Sequence, residues 1–105
     1  MKSSVIDEIY SGYCIFCGRP ADAEHHLLNG KGIRQLAESD GIKVPVCNSC
    51  HNMGKVTERI HDNVMAEKLS KMFGQAIWER NEVAKGVSID EAKSKFRARY
   101  GRSYF

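Results

Sequence analysis

The sequence lacks long apolar runs, and its 105 residues include only two prolines and one tryptophan. A membrane-spanning helix needs about 20 consecutive apolar residues, and no segment approaches that length. The opening segment, residues 1–8, brings acidic residues early and contains no apolar stretch like that of a secretory signal peptide. Internal repeats and low-complexity segments are also missing. We therefore expect a single domain over residues 1–105 that works in a reducing cytoplasm.

Cysteine is scarce but strongly patterned. The four cysteines form two Cys-x-x-Cys pairs, Cys14/Cys17 and Cys47/Cys50. Disulfides are rare in a reducing compartment, and a redox Cys-x-x-Cys normally accompanies a βαβ pattern that this chain does not show. Two pairs at this spacing suit one tetrahedral metal ion, approached from two sides. We expect a structural zinc site in which cysteine thiolates fill all four positions.

The four histidines lie between or shortly after the cysteine pairs. His25 and His26 follow Glu24, His51 directly follows Cys50, and His61 lies further along the chain. If residues 23–28 form a strand, His25 and His26 point to opposite faces of it. One of them can then bind a metal ion, while the other reaches a water molecule if the strand end bends. Neutral imidazoles bind divalent ions such as zinc, manganese or nickel.

Two short strands are expected in the first half of the chain. The first covers Ala23 to Leu28 and ends at the glycine-containing break of residues 29–32. One or two helical turns follow over residues 33–39. Three apolar residues, at positions 42, 44 and 46, then alternate with Lys43 and Pro45, which indicates an edge strand that leads into the second cysteine pair.

Two helices are expected in the second half. The longer begins near Asp62 or Asn63, either of which can cap it, and ends between residues 81 and 86. The shorter begins at a capping box that starts with Ser88 and stops at Gly101. Apolar residues at three- and four-residue steps predict that one face of the long helix packs against the strands. These residues are Met65, Leu69, Met72, Phe73, Ala76 and Ile77.

The C-terminal segment is basic although the net charge of the chain is only +3. Its cationic residues are Lys93, Lys95, Arg97, Arg99 and Arg102, with Tyr100, Tyr104 and Phe105 interleaved. Basic residues with aromatics favour a nucleic-acid backbone as partner. A solvated helix face explains the same pattern equally well, because alternate spacing distributes charges around a helix.

The motifs together resemble those of HNH nucleases of the His-Me finger superfamily. The matching segments are Cys14–Cys17, Glu24–Leu27 and Val44–His51. The chain is also similar, over nearly its whole length, to the phage Ref-like, RecA-dependent nucleases. That similarity rests on residues 25–27, 30–38, 41–47, 60–61 and 100–104. The resemblance implies an α+β fold, with a zinc-stapled ββα-metal core followed by two helices.

The resemblance also implies site residues and partners. His26 would be the general base, and His25, His51 and His61 would hold a catalytic Zn, Mg or Mn ion beside the structural zinc. The substrate would be DNA, bare or in a RecA–DNA filament, in a bacterial or phage-infected cell. Lys31 and Arg34 are candidate phosphate contacts, and loop charges in solvent explain them equally well. HNH relatives often support the base with an asparagine before the second cysteine pair, where this chain has Asp40-Gly41-Ile42-Lys43.

A second interpretation stays open, in which the chain is a non-catalytic zinc-binding module that contacts nucleic acid or protein. Such a module needs the four cysteines and has no use for converging histidines. The missing asparagine favours the module, whereas the four histidines favour the nuclease.

Overall fold

The computed structural model of the protein describes residues 3–105. Met1 and Lys2, which belong to the segment that we do not expect to be a signal peptide, lie outside the described range. Two strands and three α-helices follow one another as β1 (Ala23–His26), α1 (Ile33–Asp40), β2 (Lys43–Val46), α2 (Val64–Ala84) and α3 (Ile89–Tyr100). Short helical turns of 3-10 and π type cover Glu8–Tyr10 and Ser49–Met53. The α+β class is confirmed. No helix within residues 3–105 is both long and apolar enough to cross a membrane.

The two strands form an antiparallel sheet in which His25 faces Val44 and His26 faces Lys43. Strand β1 is shorter than expected, since it ends at His26 and not at Leu28. Leu27 and Leu28 are instead fully buried beyond the strand, and the Leu27 N–H donates to the Ile42 carbonyl at 3.1 Å. The sheet thereby delivers two adjacent histidines at its end, directly before a buried apolar pair.

The alternation expected for β2 is wrong at Lys43, because all four residues of the strand are buried and Lys43 is only 1% exposed. Its ammonium donates to Glu38 at 2.8 Å and to Glu24 at 3.3 Å. Burial lowers the pKa of Lys43, but the two carboxylates outweigh this effect and the net shift is upward. The lysine therefore stays charged inside the fold, since it is paired on two sides.

Both long helices begin and end as their sequence signals indicate. The Asn63 side chain accepts a hydrogen bond from the Ala66 N–H at 3.1 Å, and the Ser88 hydroxyl accepts one from the Glu91 N–H at 3.1 Å. Helix α3 stops at Gly101, whose φ of +80° is a left-handed conformation that favours glycine.

The buried face of α2 is not the expected apolar stripe. Met65, Leu69 and Phe73 are 72%, 56% and 41% exposed. Of the stripe, Ile77 is buried, together with a mixed set of neighbours on the helix: Ser70, Gly74, Gln75, Trp78 and Glu79. A Cβ atom at Gly74 would lie 2.8 Å from Leu28 Cγ and 3.0 Å from Leu27 Cβ. The helix approaches the end of β1 so closely that only small residues fit at the contact.

Asp40, at the end of α1, ties the three helices together. Its carboxylate accepts hydrogen bonds from the Trp78 indole at 2.9 Å, the Arg99 guanidinium at 2.7 Å and the Tyr100 hydroxyl at 2.7 Å. Burial raises the pKa of Asp40, but these three donors lower it further than burial raises it, so the carboxylate stays charged. One cation of the basic C-terminal segment, Arg99, is thus committed to holding the fold.

We expect Gly74→Ala to destabilise the protein, although glycine-to-alanine changes inside helices normally stabilise by about 1 kcal/mol. The added methyl overlaps Leu27 and Leu28, and overpacking of this kind costs about 1–3 kcal/mol. Thermal unfolding followed by circular dichroism measures the change. Ala76→Gly, at an exposed position of the same helix, calibrates the propensity effect. A higher melting temperature for Gly74→Ala would contradict the close packing of α2.

Candidate functional site

The two cysteine pairs meet in space. In the first, the Cys14 N–H donates to the Arg19 carbonyl at 2.7 Å, and Gly18 adopts the φ of +79° that this tight turn needs. The four sulfurs lie within 4.8 Å of one another, with Cys17 and Cys47 at 3.5 Å. Tetrahedral zinc, with Zn–S bonds of about 2.3 Å, separates its sulfurs by about 3.8 Å. The cluster could therefore bind a structural metal such as zinc.

The backbone around the cluster favours a thiolate. Burial raises the pKa of Cys14, but N–H groups of Cys47, Cys17 and Phe16 point at its sulfur and bring the pKa down to about 6. At Cys50, burial and the neighbouring cysteines raise the pKa instead. Four thiolates cannot be charged together without a cation among them, so the cluster matches the chemistry of a bound metal ion.

A second cluster consists of His25, His51 and His61, which we call the histidine triad. Its potential ligand atoms all lie within 4.8 Å of one another, and the Nε2 atoms of His51 and His61 are 2.9 Å apart. His25 comes from β1 and His51 from the π-helical turn Ser49–Met53, where a loop was expected at residues 52–55. His61 precedes α2, and all three predicted ion ligands are brought together.

The backbone fixes the spacing of His51 and His61. The Ile60 N–H donates to the Cys50 carbonyl at 2.9 Å, and the His61 N–H donates to the His51 carbonyl at 3.0 Å. Beside them, Asp62 adopts a left-handed φ of +64°, and its N–H donates to the Glu67 carboxylate at 2.8 Å. Strain of this kind costs about 1–3 kcal/mol and persists where the surroundings enforce it. The second cysteine pair, His51 and His61 are therefore held on one continuous piece of backbone.

Ser70, which the sequence did not suggest as a site residue, sets the tautomer of His25. Its hydroxyl donates to the Leu27 carbonyl at 3.0 Å, and a hydroxyl has one hydrogen to give. The contact of 2.9 Å between His25 Nε2 and Ser70 Oγ must therefore be donated by the imidazole. The lone pair of His25 then lies on Nδ1, which is the nitrogen free to bind a metal ion.

Two members of the triad, His25 and His51, favour the uncharged imidazole. Burial, followed by the nearby His61, His51 and His26, lowers the pKa of His25 to about 3. Burial and His61 also lower the pKa of His51. Neutral imidazole is the form that binds metals, and a tetrahedral ion at about 2.0–2.1 Å from each nitrogen needs them about 3.3 Å apart. The triad can meet that spacing with small shifts and leaves a fourth position open.

His26 points away from the triad, as the strand geometry predicts. Its Nε2 lies 2.7 Å from a carboxylate oxygen of Glu38, and the other oxygen of Glu38 accepts from Lys43. Hydrogen bonds from Lys43 and then from His26 lower the pKa of Glu38 to about 2. An ionised carboxylate only accepts, so Nε2 of His26 carries a hydrogen, and the Arg34 Nε–H donates to Nδ1 at 3.5 Å, which places the lone pair on Nδ1.

We expect Ser70→Ala to destabilise the protein by about 1–3 kcal/mol, because it leaves the buried His25 N–H and the Leu27 carbonyl without their partner. Denaturant unfolding measures the loss, and nitrogen NMR of His25 reports whether its tautomer becomes mixed. Ser94→Ala, at an exposed position inside α3, is the control and should be neutral or slightly stabilising. Equal stability of the two variants would contradict the assigned role of Ser70.

Comparison of the chain with family models, curated proteins and solved structures finds no match. The resemblance to HNH nucleases therefore rests on the motifs of this sequence alone.

Proposed function

We propose that the protein is a metal-dependent DNA endonuclease of HNH, Ref-like type that hydrolyses phosphodiester bonds in phage or bacterial recombination. The observation that carries the proposal is the convergence of three imidazoles, one of which belongs to the residue directly after Cys50 of the four-cysteine cluster. A module that only binds a partner needs the cysteines alone. In this proposal the cysteines hold a structural zinc, and the triad holds a second divalent ion, Zn, Mg or Mn.

The order of the elements supports a ββα-metal core. His25 lies on the first strand, and His51 lies on the helical turn that follows the second strand. In the proposed site these two residues bind the ion from the strand side and the helix side, and His61 completes the set. Helices α2 and α3 then cover this core from outside.

The triad would supply the electrostatic part of the reaction. A divalent ion neutralises the charge that develops on the phosphate and stabilises the leaving oxygen. The buried position of His25, together with its bond to Ser70, would keep one ligand of that ion fixed. Exposed cations, among them Arg34 near His26, would hold the DNA backbone.

His26 would take the proton from the attacking water at Nδ1, once Arg34, which donates to that nitrogen, has turned to the DNA backbone. Glu38 would orient His26, in the place of the asparagine that this sequence lacks. His26 is the last residue of β1, so a ligand bound at this end of the strand can reach groups on both of its faces. A phosphate that reaches both His26 and the ion must therefore sit at the end of the strand.

Metal content and cleavage together test these roles. We expect His51→Ala to lose one of two bound ions and to lose cleavage, because a ligand acts through its ion. His26→Ala should keep both ions and cleave about 10²–10⁴-fold more slowly, the usual contribution of a positioned base. Mass spectrometry of bound metal and plasmid nicking with magnesium, manganese or zinc, repeated on RecA-coated strands, provide the two readouts.

Glu38 and Glu24 offer a matched comparison, since both pair with Lys43 and only Glu38 contacts His26. Glu38→Ala should slow cleavage, whereas Glu24→Ala should leave it nearly unchanged. Wild-type protein that cleaves no form of DNA with any of the three ions would overturn the nuclease proposal and favour the non-catalytic binding module. Full activity of His26→Ala beside an inactive His51→Ala would remove the base role alone.

The four-cysteine cluster makes a separate prediction about stability. Binding of a structural zinc contributes on the order of 10 kcal/mol to the folding of small zinc domains, so a strong chelator should abolish the cooperative thermal transition. Added zinc should restore it. Cys47→Ser should behave like the chelated protein, whereas His51→Ala should keep its transition. A chelated, metal-free protein with an unchanged melting curve would show that the cluster is not a structural metal site.

A further inference from the structure

A cavity of about 480 Å³ opens beside the histidine triad. Four of its lining residues are tied to triad members. Cys50 and Ile60 precede His51 and His61 in the chain, Ser70 is hydrogen bonded to His25, and Leu27 accepts the Ser70 hydroxyl. The cavity volume lies within the range of about 300–1,000 Å³ that small-molecule sites occupy. An occupant of the cavity therefore contacts Ser70, whose hydroxyl is hydrogen bonded to His25 of the triad.

The walls of the cavity are mostly apolar, and much of that apolar surface is open to solvent. Phe16 comes from the first cysteine pair, and Leu69 and Phe73 come from α2. All three side chains are more than 40% exposed. The sequence pattern predicts Leu69 and Phe73 in the core, whereas in the structure they line this cavity. Two phenyl rings from separate elements thus flank one apolar space.

The rim of the cavity carries polar groups that the fold does not use. The side chains of Thr57 and Glu58 make no hydrogen bond or ion pair with residues 3–105, and Asn63 uses only its carbonyl oxygen, to cap α2. Arg59, in contrast, is committed to the His61 and Gly54 carbonyls and to Asp62. A donor, an acceptor and an amide therefore remain available to an occupant.

We propose that this cavity binds one unpaired nucleobase of a single-stranded segment of the DNA substrate, next to the phosphate held at the triad. A nucleobase is flat and aromatic, so it can stack on Phe16 or Phe73. Its polar edge needs a few hydrogen-bonding groups, which the rim supplies. The inference rests on the proposed nuclease function, because the base must arrive with its backbone phosphate near the triad.

Binding to a charge-matched pair of oligonucleotides tests the proposal. The probes are a short fluorescent oligothymidylate and its abasic counterpart, both with nuclease-resistant phosphorothioate linkages, and the readout is fluorescence anisotropy of the metal-loaded protein. We expect the wild type to bind the base-containing probe about 5- to 150-fold more tightly, the range for stacking of one base. Phe73→Leu and Phe16→Leu should weaken or remove this preference while leaving the affinity for the abasic probe unchanged.

Conservative and control variants make the test specific for stacking. Phe73→Tyr and Phe16→Tyr keep an aromatic ring and should keep the preference. Tyr10→Leu removes an exposed aromatic residue that does not line the cavity and should change nothing. Equal binding of the two probes by the wild type would overturn the proposal. So would an unchanged preference in both leucine variants, which would place the bound base outside this cavity.

Cleavage assays on the same samples separate this proposal from the nuclease proposal. If the protein prefers the base-containing probe but cleaves no DNA, the base-pocket proposal stands and the nuclease proposal fails. If it cleaves DNA but binds both probes equally, the nuclease proposal stands and the base-pocket proposal fails.

Discussion

The close approach of α2 to the end of β1 is the constraint on which the candidate site depends. At Gly74 there is no room for a side chain between the helix and Leu27–Leu28. One turn earlier on the same face, Ser70 therefore comes within hydrogen-bonding distance of His25 and of the Leu27 carbonyl. A larger residue at either position would lift the helix from the strand and remove the support of His25. Two small residues on one helix face thus set the tautomer of a candidate metal ligand.

The same strand gives its two histidines different surroundings. His25 faces α2 and contacts Ser70, and burial, followed by the neighbouring histidines, lowers its pKa to about 3, so it stays neutral. His26 faces α1 and contacts the ionised Glu38, which Lys43 holds in place from inside the sheet. A neutral, desolvated imidazole suits a metal ligand, whereas an imidazole held by a carboxylate suits proton transfer. The alternation of a strand is enough to separate these two roles between adjacent residues.

Features that depend on local sequence were predictable. The cysteine pairs, the caps at Asn63 and Ser88, and the divergence of His25 and His26 all follow from spacing over a few residues. The burial of Lys43 and the roles of Ser70 and Glu38 depend on partners far along the chain, and no periodicity reveals them. Polar residues inside the long-helix pattern, at Ser70 and Gln75, were the one available signal that its buried face differs from its apolar stripe. The pattern predicts that α2 buries its apolar stripe, whereas the contact with Leu27 and Leu28 requires a glycine and a serine on the face that packs inward.

This exchange of faces has a consequence for the surface of the protein. Since the face of α2 that carries Ser70 and Gly74 packs inward, Leu69 and Phe73 remain exposed to solvent. They line the same cavity as Phe16 from the first cysteine pair. Exposure of a contiguous apolar surface to water is unfavourable, and such a surface commonly marks a site that a ligand covers. Here it adjoins the triad, because Ser70 belongs both to the contact that fixes His25 and to the wall of the cavity. The packing that supports the candidate metal ligand therefore also creates the apolar recess beside it.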